Sequence, residues 1–252
     1  HDGPVVEVKK NSRPDRRSVY TPARFTVLLL AVVFSCYGRW SCGVFCSRCA
    51  GAPADSLRGE VVRRATIVFG GDVMQHIPQV YAARRDTTYD YTGTFRYLKP
   101  IFDTTDLVVL NFETTVSADG QFSGYPMFAS PAELVTGLSD CGADVMLLAN
   151  NHICDRGAKG MRATVDAIEQ AGMWYTGAFA DSAAYESNNP LLVNVNGIRL
   201  AMLNYTYDTN GMPVPRGAVV NPLDTVRIAA DLAKIDRSEV DHIIVLPHWG
   251  IE

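Results

Sequence analysis

The sequence predicts an α/β fold, a mixed sheet with helices covering both of its faces. Two observations lead there. Short, β-branched apolar runs alternate with helical stretches from Ala65 onward, and a late Asn-Gly pair joins two further strand-like runs. A third observation concerns chemistry, because five polar clusters stand at or just after the ends of apolar runs. They read Gly71-Asp72-Val73-Met74, Asn111-Phe112-Glu113, Asn150-Asn151-His152, Asn204-Tyr205-Thr206-Tyr207 and His248-Trp249-Gly250-Ile251-Glu252. In an open α/β sheet the loops at the carboxyl ends of strands converge on one rim, where ligands bind.

Each element has its own signal. Ala65 to Gly70 predicts a buried strand, being short, β-branched and ended by glycine. Tyr89 to Phe102 is polar and aromatic and predicts a short helix before Pro100, and Leu107 to Leu110 a second buried strand. Residues 114–130 are rich in Ser, Gly and Thr, a loop long enough to be functional. Pro131 to Cys141 predicts a helix with proline at its start and Gly142 closing it. Asp144 to Ala149 is the third strand. Ala158 to Ala171 predicts an amphipathic helix with Met161, Val165 and Ile168 on one face and Gly172 as its stop. Pro190 to Val195 and Ile198 to Leu203 flank Asn196-Gly197, a strong hairpin signal. Thr225 to Ile235 predicts a helix and His242 to Leu246 a last buried strand.

The 252 residues suffice for one sizeable α/β core plus extra segments, and are too few for two large domains. A formal charge of −4, with no basic face or RNA-binding signature, gives no electrostatic case for nucleic acid. Basic residues concentrate near the front (Lys9, Lys10, Arg13, Arg16, Arg17, Arg24), ahead of an apolar run from Phe25 to Phe34. That order predicts a leader over residues 1–60 carrying a secretory signal, with the run too short to span a bilayer by itself. Val33-Phe34-Ser35-Cys36 also has the form of a bacterial lipobox, and cleavage in the Ala50 to Ala54 region is the alternative. Cys46-Ser47-Arg48-Cys49 has the two-residue gap of zinc sites, but no second such pair or nearby His completes it. Cys141 and Cys154 read as buried free thiols. The first methionine is Met74 and the chain stops just after Gly250, so a fragment cut at its C-terminal end is expected.

Asp, Glu, Asn and His gathered on one rim are the residue types that hold a divalent metal. Asp72, after two glycines, is either a turn residue or a ligand. Asn111 and Glu113 fall on the same side if their strand continues that far. Asn150-Asn151-His152 is the most specific cluster, since two amides and an imidazole make a poor core and a poor strand. His248 again stands at a strand end. His76 reads as a loop residue or spare ligand, and His242 as structural. Tyr205 and Tyr207 either contact a substrate or pack as an aromatic pair.

These motifs resemble the CapA/PgsA family of bacterial capsule and poly-γ-glutamate synthesis proteins, from about Ala65 to Glu252. The resemblance is carried by Gly-Asp-Val-Met at 71–74, Asn-Phe-Glu at 111–113, Ala-Asn-Asn-His-Ile-Cys-Asp at 149–155, Thr-Gly-Ala at 176–178 and His-Trp-Gly at 248–250. That family is similar in turn to the calcineurin-like metallophosphoesterases. The resemblance therefore implies a four-layer α/β/β/α metallophosphatase-like sandwich over 65–252, truncated at the C-terminus. It implies Asp72 on a first metal, Glu113 or Asn111 at the bridging position, Asn151 and His248 on a second, and His152 as general acid or charge stabiliser. The implied cofactors are divalent Mn, Fe or Zn, used by two-metal logic. Three features depart from the phosphoesterase pattern. Met74 stands where it has His, Asn or Glu where it has the bridging Asp, and its last His-x-His segment would lie beyond Glu252.

Two functions follow as expectations. The first is an exported, cell-envelope hydrolase of a phosphoester or polymer linkage. The second is a non-catalytic assembly protein that binds an acidic capsular polymer or polyglutamate and its synthase complex. Membrane association through the N-terminal segment is expected in both, and nucleic acid in neither.

Overall fold

The computed structural model describes residues 6–8 and 62–250. The elements run β1 (Val6–Val8), β2 (Ile67–Val73), α1 (Ile77–Ala83), β3 (Arg84–Arg85), β4 (Thr88–Tyr89), α2 (Lys99–Phe102) and β5 (Leu107–Phe112). Next come α3 (Glu133–Cys141), β6 (Val145–Leu147), α4 (Gly157–Gln170), β7 (Trp174–Thr176), β8 (Ala178–Phe179) and α5 (Ser182–Asn188). The last are β9 (Leu191–Val195), β10 (Ile198–Thr206), β11 (Val219–Val220), α6 (Thr225–Ala233) and β12 (His242–His248). The expected leader lies outside the described residues except for β1. Among the described residues no helix is long and apolar enough to cross a membrane.

The result is a mixed α/β fold with two four-stranded sheets. One is parallel throughout, in the order β2-β5-β6-β7. The other has the order β1-β9-β10-β12, with β9 and β10 antiparallel and β10 and β12 parallel. Because side chains alternate across a strand, β5 serves two cores. Leu107 and Val109 join Val145 and Leu147 against Val193, Leu200 and Met202 of the second sheet. Val108, Leu110 and Phe112 face Leu134 and Leu138 of α3 and Met161, Val165 and Ile168 of α4. On the far side of the second sheet, Ala201, Leu203 and Tyr205 pack with Ile228, Leu232 and Ile235 of α6 and the residues after it.

A recurring device sets the parallel register. Asp106, Asp144 and Asp241 each stand one residue before a strand. Their carboxylates accept from the backbone N–H of Thr66, Val108 and Arg199 at 2.9, 2.8 and 2.8 Å. In return their own N–H groups donate to the carbonyls of the same three residues. The Arg199 guanidinium bonds Asp241 as well, at 2.9 Å, and its hydrogen bonds hold the Asp241 carboxyl down at about 2. A side-chain acceptor at the amino end of a strand makes any one-residue slip cost a hydrogen bond in addition to the misplaced apolar face.

The opposite rim is tied by Asn204 of β10. Its Oδ1 accepts from Ala149 N at 2.7 Å and its Nδ2 donates to Leu246 O at 2.9 Å, which links the strand end of β6 to both β10 and β12. Gly177 makes this approach possible. A Cβ there would meet the Asn204 side chain and lie 2.7 Å from Ala149 N, and its φ is +97°.

Several local expectations hold. The hairpin turns at Asn196 and Gly197 with φ of 54° and 81°, as a primed turn requires. Cys141 and Cys154 are buried free thiols. The helix expected before Pro100 instead begins at Lys99 and contains Pro100 in its first turn, where the missing N–H breaks no intrahelical bond. The short elements α1, β3, β4, α5, β7, β8 and β11 have no signal in the sequence because each is too short to show a period.

The Asp231 carboxylate on α6 is buried and accepts from Tyr185 Oη at 2.8 Å, Tyr205 Oη at 3.1 Å and Arg227 Nε at 3.1 Å. Burial alone would raise its pKa, but the Tyr185 hydrogen bond and the Arg227 charge, with further bonds, bring it below 3.8. Replacing Asp231 with Ala orphans buried hydroxyls and is expected to cost about 1–3 kcal/mol in urea unfolding. A depressed carboxylate contributes stability above its unfolded pKa that is lost as pH falls through the folded one. Asp231→Asn should therefore show a flatter loss of stability than wild type below about pH 4. Gly177→Ala, read by thermal melting, should lower stability by roughly 1–3 kcal/mol through strain and overpacking.

Candidate metal centre

Strand ends from both sheets meet here. In β2 the pairing runs from Phe69 with Val109 to Asp72 with Asn111, so β2 advances three residues while β5 advances two. The extra residue is a bulge at Gly70-Gly71, and it brings Asp72 opposite Asn111. Glu113 follows β5 by one residue and is held by its N–H donating to Val73 O at 3.0 Å. His248 ends β12 in register with Thr206 of β10. Ligand atoms of Asp72, Glu113 and His248 lie within 4.8 Å of one another.

Asparagines link the three. Asn111 Nδ2 lies 2.8 Å from Asp72 Oδ1, 3.0 Å from Glu113 Oε2 and 3.3 Å from His248 Nδ1. The other ring nitrogen, His248 Nε2, is 2.8 Å from Asn151 Oδ1 and 3.7 Å from Glu113 Oε1. Asn111 Nδ2 carries two hydrogens, which the Asp72 and Glu113 carboxylates take at the shorter distances, and the Asn151 oxygen, which only accepts, takes a hydrogen from His248 Nε2. Asn150 Nδ2 donates to Asn111 Oδ1 at 3.2 Å and to Phe112 O at 2.9 Å. The residues proposed from sequence as metal ligands (Asp72, Asn111, Glu113, Asn151, His248) thus share one hydrogen-bonded cluster.

His152 is buried beside them in the chain, with a different set of partners. Its Nδ1 is 2.8 Å from Asp155 Oδ2, and that oxygen also accepts from Phe128 N at 2.6 Å. The ring stands edge-on to Phe128, with centroids 4.6 Å apart. Its Nε2 is buried and has no hydrogen-bond partner. Asp155 belongs to a recognised motif, yet its contact with His152 at i, i+3 depends on the turns at 151–156 and has no sequence signature.

The remaining histidines and tyrosines separate by environment. His76 sits ahead of α1, edge-on to Phe128, and His242 starts β12. Tyr205 is fully buried with its hydroxyl on Asp231, a packed structural residue. The desolvation of that hydroxyl and the adjacent Asp231 carboxylate push its pKa upward. Tyr207 is partly exposed and stacks on His248, with centroids 6.2 Å apart. It lines a cleft of about 640 Å³ with Tyr125, Met127, Asp155, Asn210 and Met212. Sequence reading had passed over Asn210, which accepts from Asn151 Nδ2 at 3.2 Å. The Asn210-Gly211 pair, a turn signal, was its only trace.

The model of the bacterial capsule synthesis protein family PGA_cap matches residues 66–252. The capsule biosynthesis protein CapA of Bacillus anthracis is 27% identical over 201 residues, 75% of this chain and 47% of that protein. A probable polyglutamine synthesis accessory protein of Mycobacterium tuberculosis is 31% identical over 163 residues, 58% of this chain and 42% of its own length. The PGA biosynthesis protein CapA of Bacillus subtilis is 28% identical over 163 residues, 63% and 42% respectively. The chain thus spans less than half the length of these relatives. A family model matched from the first strand of the parallel sheet to the last residue means that the chain belongs to the bacterial capsule synthesis family PGA_cap.

Proposed function

We propose that this chain carries the metal centre of an exported, cell-envelope protein of capsule or poly-γ-glutamate synthesis, and that the centre hydrolyses a phosphoester or polymer linkage. The observation that carries this is the convergence of Asp72, Glu113 and His248, with ligand atoms within 4.8 Å, from three strand ends in two sheets. Two carboxylates and an imidazole suit divalent Mn, Fe or Zn, and Asn151 adds an oxygen beside His248. His152 Nε2, buried without a partner, supports a polar ligand close by. The three apolar cores, with helices on the outer face of each sheet, fit the four-layer α/β/β/α sandwich of the calcineurin-like metallophosphoesterases.

Asp72, Glu113, His248 and Asn151 would hold the cation, which supplies Lewis-acid charge at the rim when bound. Asp155 holds the His152 ring by Nδ1 and leaves Nε2 to exchange a proton with a leaving group. The cleft past Tyr207 and Tyr125 takes the rest of the substrate. An acidic polymer and its synthase are the proposed partners, consistent with the names of the relatives. A second reading is a non-catalytic assembly protein that binds the polymer. It draws on Met74, a thioether beside Asp72 where a hard cation gains no ligand.

Metal analysis by mass spectrometry separates the two. Wild type should carry near-stoichiometric Mn, Fe or Zn that Asp72→Ala loses. A well-folded wild type without metal would sink the hydrolase. For the same protein, His152→Ala should keep its metal and lose about 100-fold or more in phosphoesterase turnover. An unchanged rate in that variant removes His152 from the chemistry.

A further inference from the structure

Resting on the metal-centre reading, we infer that Asn150 and Asn210 are positioning residues that decide which end of two other amides faces the cluster. Asn151 is turned oxygen-inward, as a ligand, and Asn111 nitrogen-inward, as a hydrogen-bond donor to the carboxylates.

The argument begins from backbone groups, whose donor and acceptor roles are fixed. Asn150 Nδ2 lies 2.9 Å from Phe112 O, a carbonyl that only accepts, and Asn150 Oδ1 lies 3.2 Å from His152 N, which only donates. Both ends of the Asn150 amide are thereby assigned. Its Nδ2 then donates to Asn111 Oδ1 at 3.2 Å, which leaves Asn111 Nδ2 toward Asp72 Oδ1 and Glu113 Oε2 at 2.8 and 3.0 Å. A flipped Asn111 would set its oxygen against two carboxylate oxygens and its nitrogen against the Asn150 nitrogen, three repulsions in place of three hydrogen bonds.

Asn151 has the opposite polarity. Its Nδ2 donates to Asn210 Oδ1 at 3.2 Å, and its Oδ1 faces His248 Nε2 at 2.8 Å. Asn210 makes that bond from an exposed turn in which it and Gly211 have φ of 52° and 68°. The turn is closed by Thr209 Oγ1 donating to Met212 O at 2.7 Å. Asparagine tolerates the left-handed region better than most residues, and glycine tolerates it fully. Asn210→Gly therefore removes the acceptor and keeps the turn.

Two measurements on the full chain test this. In metal-free protein, side-chain amide hydrogen exchange by NMR should be slow at Asn111 and Asn151. Asn210→Gly should speed it at Asn151 alone, and Asn210→Asp, which retains an acceptor oxygen, should restore it. In Mn²⁺ titration, Asn210→Gly should weaken binding by about tenfold, the usual scale for a residue that orients a ligand, with recovery in Asn210→Asp. Asn151→Ala should weaken it at least as much, and Asn111→Ala, which removes a donor to two ligand carboxylates but no ligand, should weaken it less than Asn151→Ala. Loss of affinity in Asn111→Ala matching that in Asn151→Ala would overturn the assignment of Asn111. Unchanged Mn²⁺ binding and unchanged Asn151 exchange in Asn210→Gly would overturn that of Asn210. A wild type that binds no Mn²⁺ rejects the metal centre, and the exchange measurement alone then supports or overturns the amide orientations.

Discussion

Parallel register is the constraint on which everything else in this molecule rests. Side chains alternate along a strand, so sliding one strand by a single residue turns its buried face outward and moves its end along the rim. Asp106, Asp144 and Asp241 hold three such pairings from the amino ends of their strands, through bonds of 2.8–2.9 Å to neighbouring amides. At the carboxyl ends, the same alignment places His248 beside Thr206, and with one extra residue in β2 it places Asp72 beside Asn111. The cluster is thus a consequence of bonds made at the far side of the sheets. The bulge at Gly70-Gly71 is the local exception, and it serves to re-aim Asp72.

Two sheets contribute to the site, so their docking matters as much as their register. The apolar layer of Leu107, Val109, Val193 and Met202 brings the sheets together without directional preference. Direction comes from Asn204, which bonds one strand end of each sheet, and from Gly177, which lets that amide approach. With these contacts in place, His248 Nδ1 lies 3.3 Å from Asn111 Nδ2. An apolar layer sets proximity and a few buried polar bonds set orientation, which is the usual division in a close-packed core.

Within the rim, asparagines outnumber charges. Asn111, Asn150, Asn151 and Asn210 join two carboxylates and an imidazole in a continuous set of bonds. An amide offers a donor and an acceptor at one site, so it can hold a carboxylate or a ring nitrogen in place without adding charge. Buried carboxylates such as Glu113 need such partners, since burying a charge without hydrogen bonds is costly.

The sequence alone determined the α/β class, the main strands and helices, the Asn196-Gly197 hairpin and the polar strand ends, because each is written in local spacing. A buried strand such as Leu107 to Leu110 reads as a continuous apolar run, and an amphipathic helix shows its stripe. Short elements such as β7 and α5 carry too few residues for a period, and their existence depends on neighbours already in place. Tertiary structure alone decided that Tyr205 is structural while Tyr207 lines the cleft, that Asp155 holds His152, and that Asn210 meets Asn151. It alone decided which end of each amide faces the cluster. Such orientations follow from bonds between residues as much as 137 positions apart, as for Asn111 and His248, and no local pattern encodes them.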